Sequence, residues 1–273
     1  MRERASPFLK WAGGKRWLVA SNQLPAAVGG CTRYIEPFLG GGAVFFASRP
    51  ADALLSDINP DLVNAYVQLR DRLAAIKEGL DYHQRRHSKE HYYAVREAQP
   101  ECAVEAATRF IYLNRTCWNG LYRVNREGKF NVPIGTKTTV SFETGELEAV
   151  SAALQSAEIR CSDFEASIDV AMAGDFLFID PPYTANHNFN GFLKYNENIF
   201  SWSDQLRLQS AVARAIDRGV SVVVTNADHE SVRELYQGVA DYRQVWRASV
   251  LAGKASTRGR TSEALFVANV SEA

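Results

Sequence analysis

Three features of the sequence predict an α/β fold. Residues 33–46, Arg-Tyr-Ile-Glu-Pro-Phe-Leu-Gly-Gly-Gly-Ala-Val-Phe-Phe, read as strand, glycine turn and helix. Phe176-Leu177-Phe178-Ile179 is an apolar run with no polar interruption, the pattern of a strand buried on both faces, and it stops at Asp180-Pro181-Pro182-Tyr183. After Ser141, helical and strand-like segments alternate to the end of the chain. The 273 residues, 46% of them hydrophobic, suffice for one large α/β domain or for a core domain with a smaller insertion.

Charge and cysteine usage narrow the possibilities. Lys and Arg total 31 and Asp and Glu total 31, so net charge offers no argument for nucleic acid or membrane surfaces, and any such case must rest on local clustering. Cys31, Cys102, Cys117 and Cys161 form no C-x-x-C pair, which argues against both a zinc site and a disulfide framework; no metal is expected. No apolar run approaches the ~20 residues a membrane span requires, and Met1-Arg-Glu-Arg leads into no apolar signal core. A cytoplasmic protein without membrane contact is the expectation.

Taken in order, Phe8-Leu-Lys-Trp-Ala-Gly-Gly-Lys-Arg16 resembles a phosphate loop only superficially. Leu9 stands where the first Walker glycine belongs, and Arg16 replaces the Ser or Thr after the lysine. The glycines beside Trp11 and Lys15 still permit close backbone approach to a small zwitterionic ligand, although a plain helix-entry turn explains them as well. In the glycine turn Gly40 and Gly42 are present, but Phe45 occupies the third position of the dinucleotide fingerprint, which tilts against NAD. The strand Ala53-Leu-Leu-Ser56 ends at Asp57, about 20 residues beyond Glu36, the spacing that puts an acid on ribose hydroxyls. Asp57 also precedes a helix start, with Asn59 as cap and Pro60 at the first position.

From Pro60 to about Gln99 the pattern is helical, with Leu62, Tyr66, Leu69 and Leu73 on one face and Tyr92, Val95 and Arg96 in a later helix. Another helix is predicted over Ala103–Leu113. Between residues 109 and 137 the charges turn lopsided: Arg109, Arg115, Arg123, Arg126, Lys129 and Lys137 face only Glu127. The same window holds Asn114-Arg-Thr-Cys-Trp-Asn-Gly-Leu-Tyr-Arg-Val-Asn125 and a predicted hairpin turning at 126–129 and returning through Phe130-Asn-Val-Pro133. Arg and Asn reach guanine and adenine edges, and Trp or Tyr can stack on bases. A solvated face would intersperse acids, so local nucleic-acid contact is the better reading.

Beyond this lie a predicted helix at 145–155, a strand at 157–161 and the stretch ending in Asp180-Pro-Pro-Tyr. Each proline fixes its own φ and extends the residue before it, and neither has an N–H to donate. The turn therefore presents acceptors beside an aromatic ring, suited to a planar substrate with an amino group. Residues 184–200 are asparagine-rich and aperiodic; Asn186–Asn198 is expected to order over the substrate or to remain a solvated connection. A helix capped by Ser203 and ending at Gly219, a strand at 220–224, a short helix at 230–236 and strands near 242–246 and 264–267 complete the expected sheet.

Lys10-Trp-Ala-Gly-Gly-Lys15, Glu36-Pro-Phe-Leu-Gly-Gly-Gly42, Asp57-Ile-Asn59, Asn114-Arg115 with Trp118-Asn-Gly120, Phe130-Asn-Val-Pro-Ile-Gly135 and Asp180-Pro-Pro-Tyr183 resemble, in that order, the Dam-type DNA adenine-N6 methyltransferases of the DPPY class. The resemblance covers nearly the whole chain. It implies an α/β Rossmann-like S-adenosylmethionine-dependent methyltransferase sheet, 1–59 and 141–273, interrupted by a mostly helical target-recognition domain with a β-hairpin, 60–140. It implies cofactor contacts at Trp11, Gly13, Lys15, Glu36, Phe38, Gly40, Gly42, Asp57, Ile58, Asp163, Phe164 and Asp180. Catalysis would fall to Asp180, Pro181, Pro182 and Tyr183, with S-adenosylhomocysteine as product. In the recognition part, Trp118, Asn119 and Arg123 correspond to the places that stack into the duplex, contact the orphaned base and read a guanine. Asn114, Arg115, Leu121, Asn131, Pro133 and Lys137 join them as DNA contacts. The resemblance makes GATC or a related site the leading expectation for the target; Trp118, where tyrosine is usual, and Lys137, where aromatic contacts are frequent, depart from the family pattern and leave the exact target sequence open.

The resemblance further implies double-stranded DNA as partner, a monomer with a dimer as alternative, and a bacterial or phage source. Three rivals stay open at this point. They are a methyltransferase acting on RNA or a glutamine amide, a DNA-binding module that has lost activity, and an NAD-dependent oxidoreductase. Asp rather than Asn at position 180 and the basic window favour DNA over the first. Binding of S-adenosylmethionine would separate the second, and the missing third glycine argues against the last.

Overall fold

The computed structural model describes residues 5–21, 28, 30–125, 127–184, 200–248 and 260–270. It is a mixed α/β protein with a Rossmann-like sheet of seven strands in the order β3-β2-β1-β4-β5-β7-β6. In chain order the elements are α1 (Arg16–Ala20), β1 (Tyr34–Glu36), α2 (Ala43–Ser48), β2 (Ala53–Asp57), α3 (Pro60–Asp71), α4 (Leu73–Arg85), α5 (Lys89–Glu97) and α6 (Ala103–Thr116). There follow α7 (Thr144–Leu154), β3 (Ala157–Cys161), α8 (Phe164–Asp169), β4 (Phe176–Ile179), α9 (Trp202–Asp217), β5 (Ser221–Ala227), α10 (Glu230–Tyr236), β6 (Asp241–Ala248) and β7 (Arg260–Ala268). No described helix is long and apolar enough to cross a membrane.

β1 pairs in parallel with β2 and β4, and β4 with β5, whereas β7 runs antiparallel to both β5 and β6. The order 3-2-1-4-5 is that of doubly wound nucleotide-binding sheets, which bind ligands beyond the strands' carboxyl ends where the winding reverses. Here the reversal falls between β1 and β4, so Glu36 and Asp180 end the two central strands.

Chain compactness divides the protein into two units. One comprises residues 1–14, 40–49 and 57–161; the other comprises 15–39, 50–56 and 162–273. In the first, Tyr66 of α3 is fully buried against Phe8 and Phe46, with ring centroids 4.9 and 6.4 Å away. In the second, Ile35, Leu54, Leu177, Ile179, Val222 and Val224 of the sheet pack with Leu208, Val212 and Ala215 of α9.

Helix starts follow the local chemistry. Asn59 caps α3 as expected, its Oδ1 accepting from the N–H groups of Asp61 and Leu62 at 3.0 and 3.2 Å, with Pro60 next. The cap of α9 is Ser201, not the expected Ser203. Ser201 Oγ accepts from Asp204 N while the Asp204 carboxylate accepts from Ser201 N, and this reciprocal pair starts the helix two residues earlier than a lone serine would.

Candidate active site

In the second unit, the four buried residues of β4 deliver Asp180 to the end of the strand. Its Oδ1 accepts from Lys15 Nζ at 2.8 Å and from Thr225 Oγ1, on neighbouring β5, at 2.6 Å. Both bonds fall on Oδ1, and no donor among the described residues reaches Oδ2. Burial raises the Asp180 carboxyl above the ordinary aspartate value, against the opposing pull of Lys15 and Thr225. Lys15, itself buried at the start of α1, also lies 4.9 Å above the centre of the Tyr183 ring. The Tyr183 hydroxyl donates to Glu263 Oε2 at 2.7 Å. Burial, with the charges of Asp180 and Glu263, pushes that phenol well above its usual range, so it stays a donor. Arg247 of β6 completes the set with a short bond to Glu263 Oε1.

Around this cluster, Glu36 accepts a 2.8 Å hydrogen bond from Tyr34, two residues earlier on the same strand. Phe38, Phe164 and Phe200 form an aromatic triangle with centroid separations of 5.3, 5.6 and 5.7 Å. Arg207 lies 4.3 Å over the Phe164 ring and grips both carboxylate oxygens of Asp163 at 2.9 Å. Asp163 also caps α8, so its carboxylate is already committed within the protein.

In the first unit, the glycine turn bends back on itself. Asp57 Oδ2 accepts from Gly40 N at 3.1 Å and Oδ1 from Asn59 N at 3.0 Å, and burial raises this carboxyl too. Gly40 has φ +46°, and a Cβ there would stand 2.8 Å from Trp11 Cδ1, so the indole closes over the turn. Trp11 in turn stacks on Tyr122 at 5.6 Å, a pairing that sequence reading missed because the residues are far apart in the chain. Gly42, also left-handed at φ +62°, precedes α2, Gly13 has φ +80°, and Ile58 is largely exposed.

The basic window is a two-armed antiparallel loop rather than a pair of regular strands. Bridges at Cys117–Ile134 and Val124–Phe130, and the bonds Trp118 N to Pro133 O and Asn131 N to Arg123 O, tie its arms. Trp118 is 48% and Leu121 43% exposed, Asn119 takes φ +54° beside them, and Lys137 is exposed further on. Arg123 Nε donates to Asn131 Oδ1 at 2.8 Å, which orients the guanidinium. Asn114 differs from the expectation. It is 1% exposed and clamps the Lys10 backbone in both directions at 2.8 Å, so it supports the segment from within and offers no edge to a base. Arg115 is partly committed as well, donating to the Phe8 carbonyl at 2.9 Å. Arg126 and residues 185–199, which include almost all of the asparagine-rich 184–200 stretch, lie outside the described residues.

Sequence reading also missed Thr225, Glu263 and Arg247. One signal was available: Glu263 is an acid set against the apolar run Ala264-Leu-Phe-Val267 in a strand. Among the described residues no group of three His, Cys, Asp or Glu side chains is arranged to hold a metal ion.

Comparison with known proteins adds a family. Residues 11–250 match the family described as D12 class N6 adenine-specific DNA methyltransferase. The chain is 35% identical over 268 residues to the type II methyltransferase M1.LlaDCHI of Lactococcus lactis subsp. cremoris, covering 94% of this chain and 93% of that protein. It is 34% identical over 273 residues to the DNA adenine methylase of Vibrio cholerae serotype O1, covering 97% of each. The DNA N-6-adenine-methyltransferase of Escherichia phage P1 is 40% identical over 235 residues, 84% of this chain but 31% of that longer protein.

Proposed function

Since the chain belongs to the D12 class of N6 adenine-specific DNA methyltransferases, its reaction is methylation of DNA adenine at N6, and we propose that S-adenosylmethionine is the donor and a flipped-out adenine the acceptor. The target is GATC or a related site. The observation that carries the reading is the state of Asp180: a carboxylate at the end of a central strand, with Oδ1 held by Lys15 and Thr225 and no described donor on Oδ2.

Adenine N6 is a weak nucleophile because its lone pair is delocalised into the ring. Inside a duplex it is also paired, so the base must leave the stack at a cost of a few kcal/mol. Tyr183 stacks on the extruded ring. Asp180 Oδ2 and the Pro181 carbonyl accept hydrogen bonds from the two N6 protons, drawing the amine toward a tetrahedral shape and aiming its lone pair. Pro181 and Pro182, which lack N–H groups, keep competing donors away from this edge. As the N–C bond forms, positive charge grows on N6, and the preorganised carboxylate stabilises it.

S-adenosylmethionine, when bound, supplies an electrophilic methyl group on a sulfonium. The chain's donor set fits it. Within the first unit Asp57 would accept from ribose hydroxyls and the left-handed glycines 40 and 42 admit close backbone approach; within the second, the rings of Phe38 and Phe164 suit a purine. In the second unit, Lys15 and Glu36 would offer charges of both signs to its methionine end. No metal is required. On the DNA side, residues 60–140 act as the recognition part, with Trp118, Asn119, Leu121 and Arg123 reaching the duplex and Arg115, Asn131, Pro133 and Lys137 shaping or flanking that surface.

The test is to methylate random double-stranded DNA in vitro with S-adenosylmethionine and map modified adenines by direct sequencing. N6-methyladenine confined to one short motif is the expected result. Methylation without sequence preference would remove the specificity reading, and transfer to duplexes without measurable base extrusion would remove the flipping step.

A further inference from the structure

Glu263 is a carboxylate buried to 4% exposure in β7, where the polar start of the strand, Arg260-Thr-Ser262, gives way to the apolar run Ala264-Leu-Phe-Val267. Burying an unpaired carboxylate is strongly unfavourable, so the donors that converge on it indicate what it is for. Tyr183 OH donates to Oε2 at 2.7 Å, Lys15 Nζ lies 3.8 Å from the same oxygen, and Arg247 holds Oε1. By strand alternation Glu263 projects from the face opposite Ala264 and Phe266, which pack in the hydrophobic core. The charges therefore run Arg247, Glu263, Lys15, Asp180 with alternating sign, and the two residues in the middle touch the Tyr183 hydroxyl and ring respectively.

We propose that Glu263 is a positioning residue for methyl transfer: it tethers the Tyr183 ring through its hydroxyl and shares the Lys15 ammonium with Asp180, setting both groups that meet the adenine. This rests on the roles given above to Asp180 and Tyr183. A tyrosine hydrogen-bonded to a fixed anion keeps one ring orientation, which a stacking platform needs. An ammonium divided between two carboxylates neutralises Asp180 less completely than a private ion pair would, leaving more of its charge for the developing cation at N6. The groups facing this pair are Lys15 at the start of α1, Tyr183 after β4, Thr225 on β5 and Arg247 on β6. Tyr34 of β1, bonded to Glu36, also feels the Asp180 charge.

The experiment measures single-turnover methylation of a duplex carrying the mapped site, against pH, for wild type, Glu263→Gln and Arg247→Gln, with a thermal melt of each. Glu263→Gln is expected to lose about 10- to 100-fold at the plateau through misplacement of Tyr183 and to move the acid limb to lower pH, because Lys15 then serves Asp180 alone. Arg247→Gln is expected to move the limb the opposite way, since an unneutralised Glu263 disfavours the Asp180 charge. A purely structural role lowers rate and melting temperature with both limbs in place, and that result overturns the proposal, as does a Glu263→Gln plateau within about twofold of wild type. If Glu263→Gln does not fold, the Arg247→Gln limb decides alone. Absence of N6 methylation by the wild type instead overturns the parent reading of Asp180 and Tyr183, a distinct outcome.

Discussion

Asp180 is pulled in two directions: burial raises its pKa, while Lys15 and the Thr225 hydroxyl lower it, with burial prevailing. In its proposed role Asp180 must be ionised to accept from N6, which gives activity that is present above its pKa and lost as pH falls through it. The acid limb of the single-turnover rate is therefore expected above the ordinary aspartate value. Thr225→Val, nearly isosteric but without the donor, should move that limb to higher pH. Asp180→Ala, shown by its melt to be folded, should lose at least about 100-fold in rate; a loss within about tenfold would mean that N6 is activated elsewhere. The motif residues at this scale were legible in the sequence because proline chemistry and the strand ending are local. Thr225 and Arg247 were not, since nothing within a few residues of either distinguishes it from a structural strand residue, and Glu263 showed only as an acid beside an apolar run, with no sign of its partners.

Elements set the limits within which those residues operate. The turn between β1 and α2 works only because Gly40 accepts a left-handed backbone beneath Trp11. Gly40→Ala adds about 1–2 kcal/mol of backbone strain to a Cβ contact of 2.8 Å with the indole. The expected outcome is a lower melting temperature together with weaker S-adenosylmethionine binding by calorimetry. Helices α4 and α5 carry a second testable pairing. His83 Nδ1 and His91 Nε2 are 3.0 Å apart, with His83 stacked on Tyr112 at 4.8 Å. Burial, with the charge of His91 adding to it, lowers His83 to about 4, whereas the unfolded chain titrates near 6.5. The unfolded state thus binds more protons between those values, and stability is lost as pH falls from 6.5 toward 4. After allowance for the partly open ring the loss is about 1–2 kcal/mol, and His83→Phe should flatten the dependence of melting temperature on pH in that window.

At the scale of the whole molecule, a protein with no net charge must confine its attraction for DNA to one surface. In the proposed reading the window from residue 109 to 137 supplies that concentration, and Trp118, Leu121 and Arg123 are exposed on it. The bond to Asn131 uses Arg123 Nε, leaving both Nη nitrogens for a guanine edge. Arg123→Ala should relax discrimination at one G·C pair by ~1–3 kcal/mol. Methylation of a panel of singly substituted duplexes measures this, and unchanged discrimination at every position would remove Arg123 as a reader. Salt dependence should change little more than one phosphate contact's worth, because the residue is assigned to a base.

The sequence by itself determined the α/β class, the central strand with its Asp-Pro-Pro-Tyr ending, the glycine turn, the acid at the end of β2 and the basic window. Each rests on proline geometry, glycine φ, burial periodicity, spacing or charge count, which can be read along the chain without knowing what folds against it. The tertiary structure alone decided that Asn114 is an internal clamp rather than a surface reader, that Trp11 closes over Gly40 against Tyr122, and that Glu263 binds Tyr183. Those pairings join residues 29 to 111 positions apart. Their energies come from desolvation and hydrogen-bond geometry, which exist only once the strands and helices have brought the partners together.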